Sequence, residues 1–258
     1  MENVVVLSEV HPIYDLVEGI SPTMSISRQA KEWYGIDLRT NTYADQICEM
    51  HGWCQANHKH LVVRDWTYID FTPNRFNGFA PCNESTGYES IRNRVNVKRI
   101  AFVRDAIDVA LSQGMEIGEF SNCYINYVRY LVQNKIQVIK YEEFCKEPSA
   151  TLGKICSILQ LPKPIGEAVS CNNSNVSGDI GYSRGNRKDS VVELKRQYVF
   201  RSKRDEIDSD MYLRRCNMLL GYPESYAGRN LETLSEYLGF SLLSPFGSIK
   251  KRLIKKLL

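Results

Sequence analysis

No stretch of the 258-residue chain approaches the ~20 consecutive apolar residues that cross a bilayer, so the sequence predicts no membrane span. No secretory leader pattern precedes the first apolar run. Of the eight cysteines, no two stand as Cys-x-x-Cys, which removes the usual zinc and redox spacings. Several lie in apolar helical contexts, as Cys156 does in Lys154-Ile155-Cys156-Ser157-Ile158-Leu159. That is the usage of reduced core thiols, and the expected location is cytoplasmic. Charge of one sign is also lacking: 33 Lys and Arg against 30 Asp and Glu leave +3, too little to argue for a nucleic-acid partner. Gly-x-Ser-x-Gly, His-Glu-x-x-His and metal-ligand spacings are missing, which excludes a hydrolase elbow and a zinc-protease helix, and no metal is expected. Internal repeats and low-complexity tracts are absent.

What is present is an alternation of short apolar runs and amphipathic stretches. Apolar runs at 3–7, 60–63, 100–103 and 136–140 read as strands. Helical patterns fall at 43–56, 120–133 and 148–159, and Ser21-Pro22 reads as the start of an earlier helix, a cap followed by proline. This order predicts an α/β fold, a parallel sheet flanked by helices in doubly wound fashion. Further helices are expected at 191–198 and 205–220, with Gly221-Tyr222-Pro223 as the stop. Residues 1–228 are expected to form one domain and 229–258 a tail. In that tail Ile249, Leu253, Ile254, Leu257 and Leu258 share a helical face, and Lys250, Lys251, Arg252, Lys255 and Lys256 cover the rest. Residues 246–258 thus fit a helix lying on an anionic membrane surface, and equally a frayed basic tail in solution.

Chemistry-bearing residues gather at the strand exits. The strand Ile100-Ala101-Phe102-Val103 runs into Arg104, and Asp105 can cap the helix that follows and carries Ser112. A guanidinium at a strand's carboxyl end and a hydroxyl two turns on can meet at one phosphate; a surface arginine beside a helix serine is the plain alternative. The first strand exits into Ser8-Glu9-Val10-His11-Pro12, placing Glu9 and His11 where a ligand would sit, or where they pair locally. The second exits into Arg64-Asp65-Trp66-Thr67-Tyr68-Ile69-Asp70-Phe71. There the two acids orient Arg64, act on a substrate hydroxyl, or form an ion pair anchoring the long aperiodic segment 72–90. Residues 171–190 are loop-like, and Gly181, Gly185, Arg184, Arg187 and Lys188 offer amides and cations for an anion.

Three of these segments resemble sulfotransferases that use 3′-phosphoadenosine 5′-phosphosulfate. Val103-Arg104-Asp105-Ala106-Ile107-Asp108-Val109-Ala110-Leu111-Ser112 is similar to that family's 3′-phosphate motif, Arg-Asn/His-Pro-x-Asp-x-x-x-Ser, with the same eight-residue step from Arg to Ser. Val138-Ile139-Lys140-Tyr141-Glu142-Glu143-Phe144, followed by Glu147-Pro148 and Leu159-Gln160-Leu161-Pro162, resembles its Tyr-Glu-Asp-Leu…Asp-Pro…Leu-Gly-Leu-Pro stretch. Ser177 to Gly185 is similar, more loosely, to its late basic loop. The resemblance runs from about residue 3 to 222 and implies a P-loop-type fold with 3′-phosphoadenosine 5′-phosphosulfate as co-substrate. It implies that Arg104 and Ser112 hold the 3′-phosphate, that Arg184 and Gly185 add a second grip, and that Tyr141 lies near the adenine.

The departures are Asp105 and Ala106 in place of Asn/His and Pro, and the lack of a Gly-rich phosphosulfate loop before the first helix. The opening segment resembles the family's second strand, so the fold is expected to be N-terminally incomplete. The family's placement of a base after the phosphosulfate loop points to Glu9 first, His11 second and Asp65 third. The expected acceptor is a hydroxyl on a glycan or another small polar molecule. A non-catalytic relative that binds nucleotide or a partner is the competing reading, and a nucleotide kinase relative is a weaker third.

Overall fold

Two pairs of parallel strands organise the chain, each pair joined by a helical crossover of the kind parallel pairing requires. The computed structural model describes residues 3–15, 25–72, 81–162, 193, 195–228 and 231. Its elements are β1 (Val4–Val10), α1 (Ile26–Tyr34), α2 (Tyr43–Ala56), β2 (His60–Asp65), α3 (Thr86–Ile91), β3 (Ile100–Val103), α4 (Ala106–Gln113), α5 (Ile117–Gln133), β4 (Gln137–Lys140), α6 (Tyr141–Lys146), α7 (Pro148–Leu159), α8 (Arg201–Ser209) and α9 (Met211–Leu220). The expected α/β class with helix-flanked parallel strands is therefore observed. The strands form two two-stranded sheets, β1 with β2 and β3 with β4, and no ladder joins β2 to β3 among the described residues. No helix among the described residues is long and apolar enough to cross a membrane.

Each strand pair has its own core. Val5, Leu7 and Val10 of β1 pack with Ile26 and Ala30 of α1 and with Tyr43, Ile47, Met50 and Cys54 of α2. Helix α2 forms where its pattern predicts. Thr42 caps it by accepting the Asp45 N–H, and its apolar residues recur at helical spacing toward β1. The second core joins Ala101 and Val103 of β3 to Ala106, Ile107 and Ala110 of α4 and to the apolar faces of α5 and α9. Two stitches connect the halves. Phe71, which follows β2, is fully buried in the second core, its ring 5.3 Å from that of Tyr127 and 5.2 Å from that of Tyr130. Arg99, just before β3, lies 3.7 Å over the ring of Tyr88 on α3 and donates to the Tyr130 hydroxyl at 2.8 Å.

Three expectations need correcting. The first helix is capped by Ser25, whose side chain accepts the Arg28 N–H, and it begins at Ile26; Ser21 and Pro22 lie outside the described residues. The pattern over 205–220 is two helices, because Asp210 leaves helical geometry to cap α9 through the Leu213 N–H and to accept the Ser121 hydroxyl of α5. The helix expected over 191–198 is not seen in the residues of that range that are described. Within it Glu193 and residues 195–198 are non-helical, and Arg196 makes a parallel bridge to Leu231. The reason is the Arg196 side chain, whose buried partners described below hold this strap extended. The predicted stop is confirmed: Gly221 has φ 70°, the left-handed geometry that glycine adopts without a Cβ penalty. The basic segment 246–258 lies outside the described residues.

Phe71 carries much of the contact between the halves, and truncating a buried ring removes both transfer energy and packing. Phe71→Ala should lower unfolding free energy by about 3–5 kcal/mol, read from urea denaturation.

Candidate functional site

The exit of β3 is built on a buried ion network. Asp105 caps α4, its Oδ1 accepting the Ile107 N–H at 3.0 Å and the Asn217 amide at 3.0 Å. Asn217, brought in by α9, returns its oxygen to the Ala106 N–H at 2.8 Å. The first amides of α4 are thus already occupied. Arg196 reaches in from the strap: Nη2 pairs with Asp105 Oδ2, Nε with Asp108 Oδ1 at 2.8 Å, and Nη1 with the carbonyls of Ser225 and Tyr226. Arg196, Asp105 and Asp108 have side chains no more than 1% exposed. Burial raises the Asp105 carboxyl above its ordinary value; Arg196 pulls it down, Asp108 pushes it up, and Asn217 and the Ile107 N–H oppose the rise.

Arg104 stands on the rim of this network. Its side chain is 26% exposed, and Nε lies 3.7 Å from Asp108 Oδ2, beyond hydrogen-bond range. That Nε is buried and has no hydrogen-bond partner among the described residues. The guanidinium packs 5.3 Å from the ring centre of Tyr141, the first residue of α6, where β4 exits. Ser112 is exposed, and its hydroxyl donates to the Val109 carbonyl at 2.8 Å. Asp108 and Ser112 are four apart on α4, and Arg104 precedes the Asp105 cap of that helix. The structure brings Arg104 against Tyr141, while the Ser112 hydroxyl bonds within its own helix. Arg184 and Gly185 lie outside the described residues.

The other predicted residues gather at the exits of β1 and β2. The ladder runs in register from Val4–His60 to Ser8–Arg64, then jumps to Val10–Asp65, and Glu9 is the bulged residue. Glu9 has φ 53°, a geometry that costs a non-glycine residue about 1–2 kcal/mol. Its Oε1 accepts Arg64 Nη2 at 2.6 Å, and Arg64 Nη1 reaches the Ser8 hydroxyl at 3.4 Å. Arg64 is therefore oriented by Glu9. Asp70 turns elsewhere, to His11 and to α3. His11 is 3% exposed; Nδ1 accepts the Ile13 N–H at 3.1 Å and Nε2 lies 3.2 Å from both Asp70 Oδ1 and the Thr86 hydroxyl. Those contacts assign the Nε2–H tautomer. Asp65 Oδ2 accepts from Ser85 at 3.4 Å and packs on Gly87, where an added Cβ would come within 2.9 Å of it. The three residues thus lie at the carboxyl end of the β1–β2 pair and are held by different contacts.

Sequence reasoning missed Arg196. The available signal was the pair Asp105 and Asp108, two acids one turn apart in an otherwise apolar helix, which need a cation if buried. No group of three or more His, Cys, Asp or Glu among the described residues is arranged to hold a metal ion.

No family model and no curated protein matches the chain. Among solved structures it is similar to the sulfotransferase domain from the curacin biosynthetic pathway. The two are 15% identical, the TM-score is 0.43, and the match covers 77% of this chain and 78% of that one. Overlap at that level leaves any functional assignment to this chain's own residues.

The raised Asp105 carboxyl has a stability consequence. The folded state holds this proton more tightly than the unfolded chain does. Its contribution is therefore full below the ordinary value of 3.8 and is lost as pH climbs through the raised one. Asp105→Asn keeps a capping oxygen and removes the titration. Its urea midpoint should fall less steeply than the parent's as pH rises above 3.8.

Proposed function

We propose that the chain is a sulfotransferase that binds 3′-phosphoadenosine 5′-phosphosulfate at the exits of β3 and β4 and passes its sulfuryl group to an acceptor hydroxyl. The observation that carries this reading is Arg104. It is a partly exposed guanidinium whose Nε has no hydrogen-bond partner among the described residues, packed on Tyr141 at the strand exit that leads into α4, the helix that carries Ser112. A phosphate monoester fits such a place, since it accepts several charge-assisted hydrogen bonds at once. Arg104 and Ser112 would hold the 3′-phosphate, with Tyr141 toward the adenine and Arg184 and Gly185 as a further grip.

In the proposed reaction the acceptor oxygen bonds to sulfur, and the bond from sulfur to the bridging phosphate oxygen breaks. The acceptor proton passes to Glu9, and 3′-phosphoadenosine 5′-phosphate leaves. Glu9 is preferred over His11 because both imidazole nitrogens of His11 already face protein partners, whereas Glu9 projects from a bulge and is oriented by Arg64. Asp65 remains the third choice. The acceptor is proposed to be a carbohydrate or small polar alcohol, and the setting cytoplasmic, with residues 246–258 touching an anionic lipid surface.

A non-catalytic nucleotide-binding protein is the second reading. It is favoured by the exit of β1, Ser8 to Pro12, which carries neither glycine nor lysine.

Thermal-shift and calorimetric titrations with 3′-phosphoadenosine 5′-phosphate and with 5′-AMP test the site. Binding should depend on the 3′-phosphate, and Arg104→Ala should weaken it roughly 10- to 100-fold. Equal affinity for the two nucleotides would remove the assignment. In sulfuryl-transfer assays of the native full-length protein, Glu9→Gln should lower turnover by about 10²-fold while nucleotide affinity holds. Nucleotide binding with no transfer to any hydroxyl acceptor would favour the second reading.

A further inference from the structure

We propose that Arg196 is a positioning residue for the anion site: by engaging both carboxylates of the α4 entry it leaves Arg104 available to a phosphate. The proposal rests on the reading of Arg104 as the 3′-phosphate ligand. The entry to α4 holds two acids, Asp105 and Asp108, and two guanidiniums, Arg104 and Arg196. The guanidiniums divide the work unequally. Arg196 is fully buried, and its nitrogens are directed to Asp105, Asp108 and the carbonyls of Ser225 and Tyr226. It has no face for a ligand. Arg104 approaches Asp108 at 3.7 Å, packs on the Tyr141 ring, and is the partner with exposed surface.

Carboxylates and guanidiniums pair strongly whenever geometry allows, and inside a protein they are poorly screened. With Arg196 in place the four charges balance, and one oxygen of each acid is taken by a hydrogen bond that Arg104 does not make. Without it, Arg104 would be the cation left beside the two buried acids among the described residues. Its guanidinium would then turn inward to them, and the remaining negative charge would repel a phosphate. Nothing else at this exit compensates among the described residues. The amides of Ala106 and Ile107 that could meet an anion are held by Asn217 and Asp105. The route to the positive end of α4 is closed there, so the orientation of Arg104 decides whether the site binds. Arg196 lies 88 residues from Asp108 and 91 from Asp105 along the chain, so the strap that carries it sets the state of the site.

The test reads the affinity ratio of 3′-phosphoadenosine 5′-phosphate over 5′-AMP by calorimetry, normalised to folded protein. It uses the parent, Arg196→Met, Arg196→Lys, and a triple variant that adds Asp105→Asn and Asp108→Asn to Arg196→Met. Arg196→Met should cut the ratio by about tenfold or more. The triple variant, with no acid left to compete for Arg104, should recover it to within a few-fold. Arg196→Lys offers a point charge to acceptors arranged for a planar fork and should fall between. If Arg196→Met does not fold, the lysine variant and the triple variant carry the test. A lysine variant with the parent's ratio, or a triple variant no better than the lysine variant, overturns the proposal, as does a folded Arg196→Met with an unchanged ratio. The underlying reading fails separately: a parent without 3′-phosphate preference, or a preference that survives Arg104→Ala, sinks the site itself. A preference that needs Arg104 and ignores Arg196 sinks only this inference.

Discussion

A single buried guanidinium holds together the exit of β3, the entry of α4 and the turn after α9. Removing a charged group from water costs several kcal/mol, and Arg196 offsets this only because four acceptors converge on it. Two come from α4 and two from the turn after α9. The same side chain therefore fixes the strap, anchors the turn at Ser225 and Tyr226, and sets the charge beneath Arg104. The Tyr226 ring completes the enclosure: its hydroxyl donates to the Gln197 carbonyl and accepts the Val199 N–H, so the strap is held immediately after Arg196.

The candidate base and the candidate phosphate ligand belong to different strand pairs. Glu9 leaves β1 and Arg104 leaves β3, and no ladder hydrogen bond ties those pairs among the described residues. Their mutual geometry rests on side chains. Phe71 carries the chain after β2 into the core beneath β3, and Arg99 bridges Tyr88 of α3 and Tyr130 of α5. Aromatic and cation–π contacts of this kind contribute about 0.5–2 kcal/mol each beyond the burial itself. Packing between the halves therefore sets how the two strand exits stand relative to one another.

Legibility followed the range of the forces involved. Helix α2 could be read because its cap and its apolar stripe are local; Thr42, Ile47, Met50 and Cys54 lie within one segment. The same holds for β3, the Asp105 cap and the Gly221 stop. Arg196 could not be read. Its position looks helical in its own neighbourhood, and the partners that override that preference are remote in sequence. The break at Asp210 was hidden for the same reason, since the Ser121 hydroxyl that rewards it sits on α5. At the site, the placement of Arg104 and Tyr141 at neighbouring exits was visible in the strand–helix order. The bulge that turns Glu9 was not, because no glycine marks its positive φ.

The bulge has help from α1. Gln29 grips Ser8 with both ends of its amide, at 2.8 and 2.7 Å, and the Tyr34 hydroxyl bonds both the N–H and the carbonyl of Val6. These are the main-chain groups that β1 turns away from β2. Two side chains therefore imitate a neighbouring strand along the outer margin of the sheet. An extended peptide arriving from that side would have to evict a phenol and a carboxamide before it found a free donor or acceptor. At Val6 and Ser8 the β1 margin is closed to growth, and strand addition there is blocked from the side of α1.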